Sequence, residues 1–230
     1  MNRQFQLKML LPRALTLGLG ALVIASAFAA DPMGHIRGTI VSAAPDKLTV
    51  KTSSGNVSVA VDTTTRIAGV VPSSLDQIKS GTFVGIANVP GGKTSKALEV
   101  VVFPDAMKGT GLGDYPWDLD PGAAGGGGKT SAMTNGTVKA AAGAGAAKSS
   151  MMTNGTVKTA STDKGLTLTV DYGKGEKKIV VPASVPVVGI VPGDASKLVA
   201  GAHVFVVTKK DAPQAAGFIA VGINGAVPPM

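Results

Sequence analysis

The chain has no cysteine, only two histidines and nine aromatic residues in 230. Without cysteine there is no thiolate nucleophile, no disulfide framework and no thiolate metal site. Two histidines, His35 and His203, are too few for a transition-metal cage unless carboxylates join them. Apolar length is also scarce: the one long apolar run lies near the N-terminus, so a multi-span membrane protein is excluded. Charge of one sign is not concentrated anywhere, and a nucleic-acid binder needs a denser basic footprint. What the chain has in excess is glycine and proline, 31 and 14 residues. That is too little for a collagen-like chain and too much for a compact helical enzyme.

The first 30 residues carry the marks of an export signal. Arg3, Lys8 and Arg13 form a basic start, Ala14 to Ile24 is mostly apolar, and Ala27-Phe28-Ala29-Ala30 offers small residues for cleavage after Ala29 or Ala30. No lipobox is possible without cysteine, and no arginine pair precedes the apolar run. The expected location is therefore periplasmic or secreted, with membrane contact only through the leader. Of the 22 basic residues three leave with the leader, so 19 face 14 acidic residues, a net of +5.

An internal repeat dominates the remainder. At an offset of 120, Leu48-Thr49-Val50 falls on Leu168-Thr169-Val170, and Gly69-Val70-Val71-Pro72 falls on Gly189-Ile190-Val191-Pro192. Positions 48–86 contain ten identities without a gap. Each copy reads as β: Leu48/Val50 and Val57/Val59/Val61 alternate at period two, and glycines and prolines punctuate the runs. Ser73 to Lys79 has room for one helical turn. The order predicts an all-β protein of two tandem, small OB-like five-stranded barrels, since closure leaves few exposed edges. The predicted domains are 34–107 and 154–230, with 108–153 as a Gly/Ala-rich linker.

That linker contains a second duplication. Met133-Thr134-Asn135-Gly136-Thr137-Val138-Lys139 recurs as Met152-Thr153-Asn154-Gly155-Thr156-Val157-Lys158. Only one can be the first strand of the second barrel. A short hairpin connection favours 154–158, which makes 133–139 a surplus strand able to compete for the same position.

Gly38-Thr39-Ile40, Lys47 to Thr52, Lys96 to Val100, Phe103-Pro104, Gly109-Thr110-Gly111, Pro116-Trp117-Asp118-Leu119 and the closing Pro228-Pro229-Met230 carry a resemblance. The chain resembles a family of exported bacterial proteins with an OB-like domain of unknown function, sometimes labelled metal ABC transporter permeases. The single apolar segment argues against that label. The resemblance implies an envelope location and an OB-like fold, and it brings no catalytic residues.

Several patterns suggest chemistry and lack its context. Ala123 to Thr130 satisfies a loosened phosphate-loop pattern, without the strand before it or the helix after it. Gly109 to Gly113 lacks the third-glycine spacing, the βαβ unit and the downstream acidic residue of a dinucleotide fingerprint. Asp105, Asp114, Asp118 and Asp120 could offer oxygen ligands to calcium, but their spacing is not that of a calcium loop. The candidate interaction residues are Asp114, Tyr115, Trp117 and Asp118. The two aromatics either anchor a partner or dock the linker onto a barrel and cap its core. The expected OB binding face, Lys47–Thr52 and Asn56–Val61, holds no aromatic, so stacking on bases or sugars is not expected there.

These features predict a non-enzymatic binding or interaction module, with no cofactor and no nucleic-acid partner. Its partner would be an envelope protein or a small ligand. A structural, oligomerising tether and a hydrolase with its site between the barrels remain open alternatives.

Overall fold

Period-two runs make half-buried strands, and runs apolar at every position make strands covered on both faces. Both kinds occur in the computed structural model, which describes residues 34–120, 130–143 and 165–228. The leader, the 154–158 strand and nearly all of the phosphate-loop-like run lie outside the described residues. Thirteen strands follow in chain order. They are β1 (His35–Ala44), β2 (Lys47–Thr52), β3 (Gly55–Ala60), β4 (Arg66–Pro72), β5 (Phe83–Val89), β6 (Ser95–Val102) and β7 (Gly113–Trp117). Then come β8 (Ser131–Gly143), β9 (Leu166–Asp171), β10 (Glu176–Val181), β11 (Val187–Pro192), β12 (His203–Lys209) and β13 (Ala212–Gly222). The protein is all-β, with short 3-10 turns such as Leu75–Gln77 and Ala195–Lys197 between strands.

The strands form two five-stranded rings, and each ring is built from both copies of the repeat. The first ring runs β1-β2-β3-β13-β12 and closes back on β1. The second runs β8-β9-β10-β6-β5 and closes back on β8. Three strands of one copy thus enclose a core with the last two strands of the other. The expected tandem arrangement, with 34–107 and 154–230 each closing on itself, is corrected by this exchange. Its cause is β4 and its counterpart β11. Seven extended residues carry the chain roughly 23 Å, from the first ring to the second, and the single 3-10 turn at Leu75–Gln77 does not bring it back.

β4 and β11 pair antiparallel at the centre, with Val70 opposite Ile190. Those two residues are equivalent in the repeat, so a pseudo-twofold axis passes between them. β4 also pairs parallel with β13, and β11 parallel with β6, which joins the rings into one continuous sheet path.

A second correction concerns the linker. Residues 131–143 are not surplus: β8 pairs with β5 over 132–137 and with β9 over 137–143. It fills the position that β1 fills in the first ring, where Thr39 pairs with both His203 and Lys51. Both strands change neighbours at a threonine, Thr39 or Thr137, and carry a register irregularity just beyond it. The physical reason for the choice is upstream. β7 pairs with residues 131–135, and the Ser131 hydroxyl lies 2.9 and 2.7 Å from the carbonyls of Trp117 and Leu119. The longer connection to β9 costs little, because loop closure grows only logarithmically with length.

Three cores result. Ile40, Leu48, Val50, Val59, Val204, Val206, Ile219 and Val221 fill the first ring. Val84, Ile86, Val100, Val138, Leu168, Val170, Ile179 and Val181 fill the second. The third lies between the rings, around Val70, Val101, Ile190, Phe205 and Ala220. This third core explains why Val204 to Val207 and Phe218 to Val221 read as unbroken apolar runs: one face lines a ring and the other packs on the junction.

Candidate functional site

Seven aromatic residues lie beyond residue 30, and five of them (Phe103, Tyr115, Trp117, Phe205 and Phe218) border one cavity of about 740 Å³ at the junction of the rings. Met107, Ile190, Val191 and Val207 complete its apolar wall, and Thr110 and Asn135 add polar groups. Such a volume suits a drug-sized ligand. Phe205 is 1% exposed and forms the base, whereas Tyr115 is 37% exposed.

β7 supplies two of these aromatics and is held by its carboxylates. Asp114 accepts hydrogen bonds from Thr134 Oγ1 at 2.6 Å and from Lys177 Nζ at 2.9 Å, which ties β7 to the second ring. Just past its other end, Asp118 reaches the first ring. Arg37 Nη2 donates to its Oδ1 at 2.7 Å and Nη1 to its Oδ2 at 3.0 Å, and His35 Nδ1 lies 3.1 Å from Oδ2. β7 is therefore a strap across the junction.

Aromatic contacts complete the strap. The Trp117 ring centroid is 4.6 Å from that of His35 and 6.1 Å from that of Phe205. The Arg37 guanidinium lies 4.9 Å from the Phe205 centroid and 5.9 Å from that of Trp117, within cation–π range. Asn135 Nδ2 donates to the Tyr115 hydroxyl at 3.0 Å. Two buried polar atoms on lining residues, Trp117 Nε1 and Asn135 Oδ1, have no protein partner. Each such group costs about 1–3 kcal/mol when left unpaired.

The electrostatics follow from these contacts. Partial burial pushes the Asp118 carboxyl up, but hydrogen bonds and charge from Arg37, and then His35, outweigh it and hold it at about 2, below the ordinary 3.8. Burial also pushes the Tyr115 phenol up. Because the folded-state value of Asp118 is depressed, its contribution to stability is present above about pH 4. It is lost as pH falls through the folded value. Asp118→Asn should therefore melt below the parent protein at pH 6, with the gap closing between pH 4 and 2. The side chain is 46% exposed, so screening limits the expected effect to about 1 kcal/mol or less. A gap of unchanged size at pH 2 would show that the ion pair is not its source.

All four sequence candidates, Asp114, Tyr115, Trp117 and Asp118, thus belong to the strap, and the two aromatics line the cavity. Trp117 docks its segment onto the first ring, against His35 and Phe205, and also walls the cavity. The four aspartates of the possible calcium set do not converge. Asp114 faces Lys177, Asp118 faces Arg37, and Asp105 faces Lys108 at 2.9 Å. No group of three or more potential metal ligands occurs among the described residues. His203 lies beside Thr39 Oγ1 at 3.4 Å.

Phe205 and Phe218 were not singled out by sequence, and Phe103 only among the residues that carry the resemblance, yet a signal existed. At the offset of 120, Phe205 stands where the first copy has Gly85. Aromatics present in one copy and absent from the other mark a surface that the repeat itself does not require.

No protein-family model, no curated protein and no solved structure matches this chain. The functional reading therefore rests on the cavity and on the sequence.

Proposed function

We propose that this chain is an exported, non-enzymatic binding module of the bacterial envelope, which takes an apolar small molecule in the aromatic cavity between two OB-like rings. The observation that carries the reading is the convergence of five aromatic side chains from four separate segments on one cavity, in a chain otherwise poor in aromatics. Flat, rigid rings offer large contact area at low entropic cost. Export is supported by the basic, apolar and small-residue sequence of the first 30 residues, and the OB-like description by the closed five-stranded rings. The resemblance to exported proteins with an OB-like domain agrees with both. The oligomerising-tether alternative loses its main support, because the strand it required to be free is paired within the chain.

Trp117 is the only tryptophan, so its fluorescence reports on the cavity directly. Titration with phenyl-naphthylamine, a neutral aromatic probe, is expected to quench Trp117 by energy transfer, with saturation near one probe per chain. Ala106→Phe, at an exposed lining position, should weaken this binding by about fivefold or more, since overfilling a cavity forces its contents out. Absence of saturable quenching in the parent protein would refute the reading.

A further inference from the structure

We infer that the ligand is a planar aromatic monoanion, such as an aryl carboxylate or arylsulfonate, with Arg66 as its counter-charge; this rests on the binding reading above and names the chemical class it selects. Arg66 is the only charged residue among those that line the cavity. It opens β4, is solvent-exposed, and makes no ion pair among the described residues.

The other charges near the wall are already matched. Asp118 is held by Arg37 and His35, Asp114 by Lys177, and Asp105 by Lys108. The cavity therefore presents an apolar, aromatic-walled interior with one unmatched positive charge at its edge. A ligand with two anionic groups would leave one unpaired against an apolar wall, and a cation would face Arg66 directly; both are costly. A neutral aromatic would gain the burial but not the charge-assisted hydrogen bonds that a guanidinium fork gives to a carboxylate or sulfonate. The aromatic body is favoured over a flexible acyl chain because the wall is built of rings already in tilted and edge contact, such as Tyr115 with Trp117 at 6.1 Å. A further flat ring extends that arrangement.

Two fluorescent probes share one skeleton and separate this proposal from the one it rests on. Anilinonaphthalene sulfonate is phenyl-naphthylamine with one sulfonate added. With the folded full chain, both are expected to bind saturably and to quench Trp117, the sulfonate about tenfold tighter, which is the scale of one charged hydrogen bond. Arg66→Gln should remove that preference and leave phenyl-naphthylamine binding unchanged, while Arg66→Lys should keep part of it. Raising the salt concentration should weaken only the sulfonate. Equal affinity for the two probes in the parent protein, unaltered in Arg66→Gln, would overturn the anion preference and leave the binding reading standing. If neither probe saturates, both fall together.

Discussion

With cysteines at positions 39 and 203, the protein should form an intrachain disulfide on oxidation and gain about 3 to 5 kcal/mol of stability. Thr39 on β1 and His203 on β12 are register partners drawn from different copies of the repeat. The flanking hydrogen bonds, Ile40 N–H to the Ala202 carbonyl and Thr208 N–H to the Gly34 carbonyl, make Thr39/His203 a pair that does not itself exchange hydrogen bonds. Such pairs have Cα atoms about 4.5 Å apart, inside the range a disulfide spans. The bond would close a loop of 164 residues, for which chain entropy alone allows about 5 kcal/mol. Because the natural chain has no cysteine, the readout has no competing thiol. Faster migration on a non-reducing gel and a melting temperature that falls on adding reductant are the expected results. If each copy closed on itself, Thr39 would lie beside Phe83 rather than His203. The double variant would then remain reduced or link only between chains.

Gly136→Val should lower stability by about 3 kcal/mol or more, whereas Gly155→Val, in an identical heptapeptide, should leave the melting temperature unchanged. A Cβ at Gly136 would stand 2.2 Å from the Asp171 carbonyl oxygen and 2.8 Å from Val170 Cγ1. The first of these is backbone in a paired strand and cannot turn aside. Its counterpart Gly38 is in the same position, pressed against the Lys51 carbonyl oxygen. Both glycines sit just before the bend where a long strand changes neighbours, and there two backbones approach too closely for a side chain. Thermal melts of the two valine variants measure the difference directly. An equal loss from both, or a loss only at Gly155, would mean that the second heptapeptide takes the sheet position.

The β character was legible because the residues state it. Leu48/Val50 and Leu168/Val170 alternate at period two, and glycine at 55 and at 175 turns each hairpin, with φ of 122° and 159°. The partner of each strand was not legible. A repeat gives every strand two acceptable neighbours, one in its own copy and one 120 residues away, with matching side chains in both. Which is taken depends on whether β4 folds back, and the residues that settle this act through space: Gly69 has Ile223 and Val191 against it, and Gly193 lies on the Gly69 backbone. The choice between 133–139 and 154–158 was hidden for a related reason. Identical heptapeptides carry no local distinction, and the deciding contacts, from Ser131 to the Trp117 carbonyl and from Asn88 Nδ2 to the Ala132 carbonyl and Thr134 Oγ1, span other segments. Of the site, Tyr115 and Trp117 could be found as isolated loop aromatics. Their companions were harder to find, because Phe205 and Phe218 lie in strands that read as ordinary core and only a comparison of the two copies sets them apart.

The central β4–β11 pair has a consequence for the stretch between Asp120 and Thr130. Residues 34–120 and 130–228 clasp each other as two subunits would, and that stretch is their sole covalent join. It acts chiefly as a concentration: a covalent connection of this length makes the clasp intramolecular, at about millimolar effective concentration. A cut there would alter no strand pairing, yet stability that was independent of protein concentration would become that of a heterodimer, weakening on dilution. The cavity, walled by Phe103, Tyr115 and Trp117 from one half and by Phe205 and Phe218 from the other, would dilute apart with it.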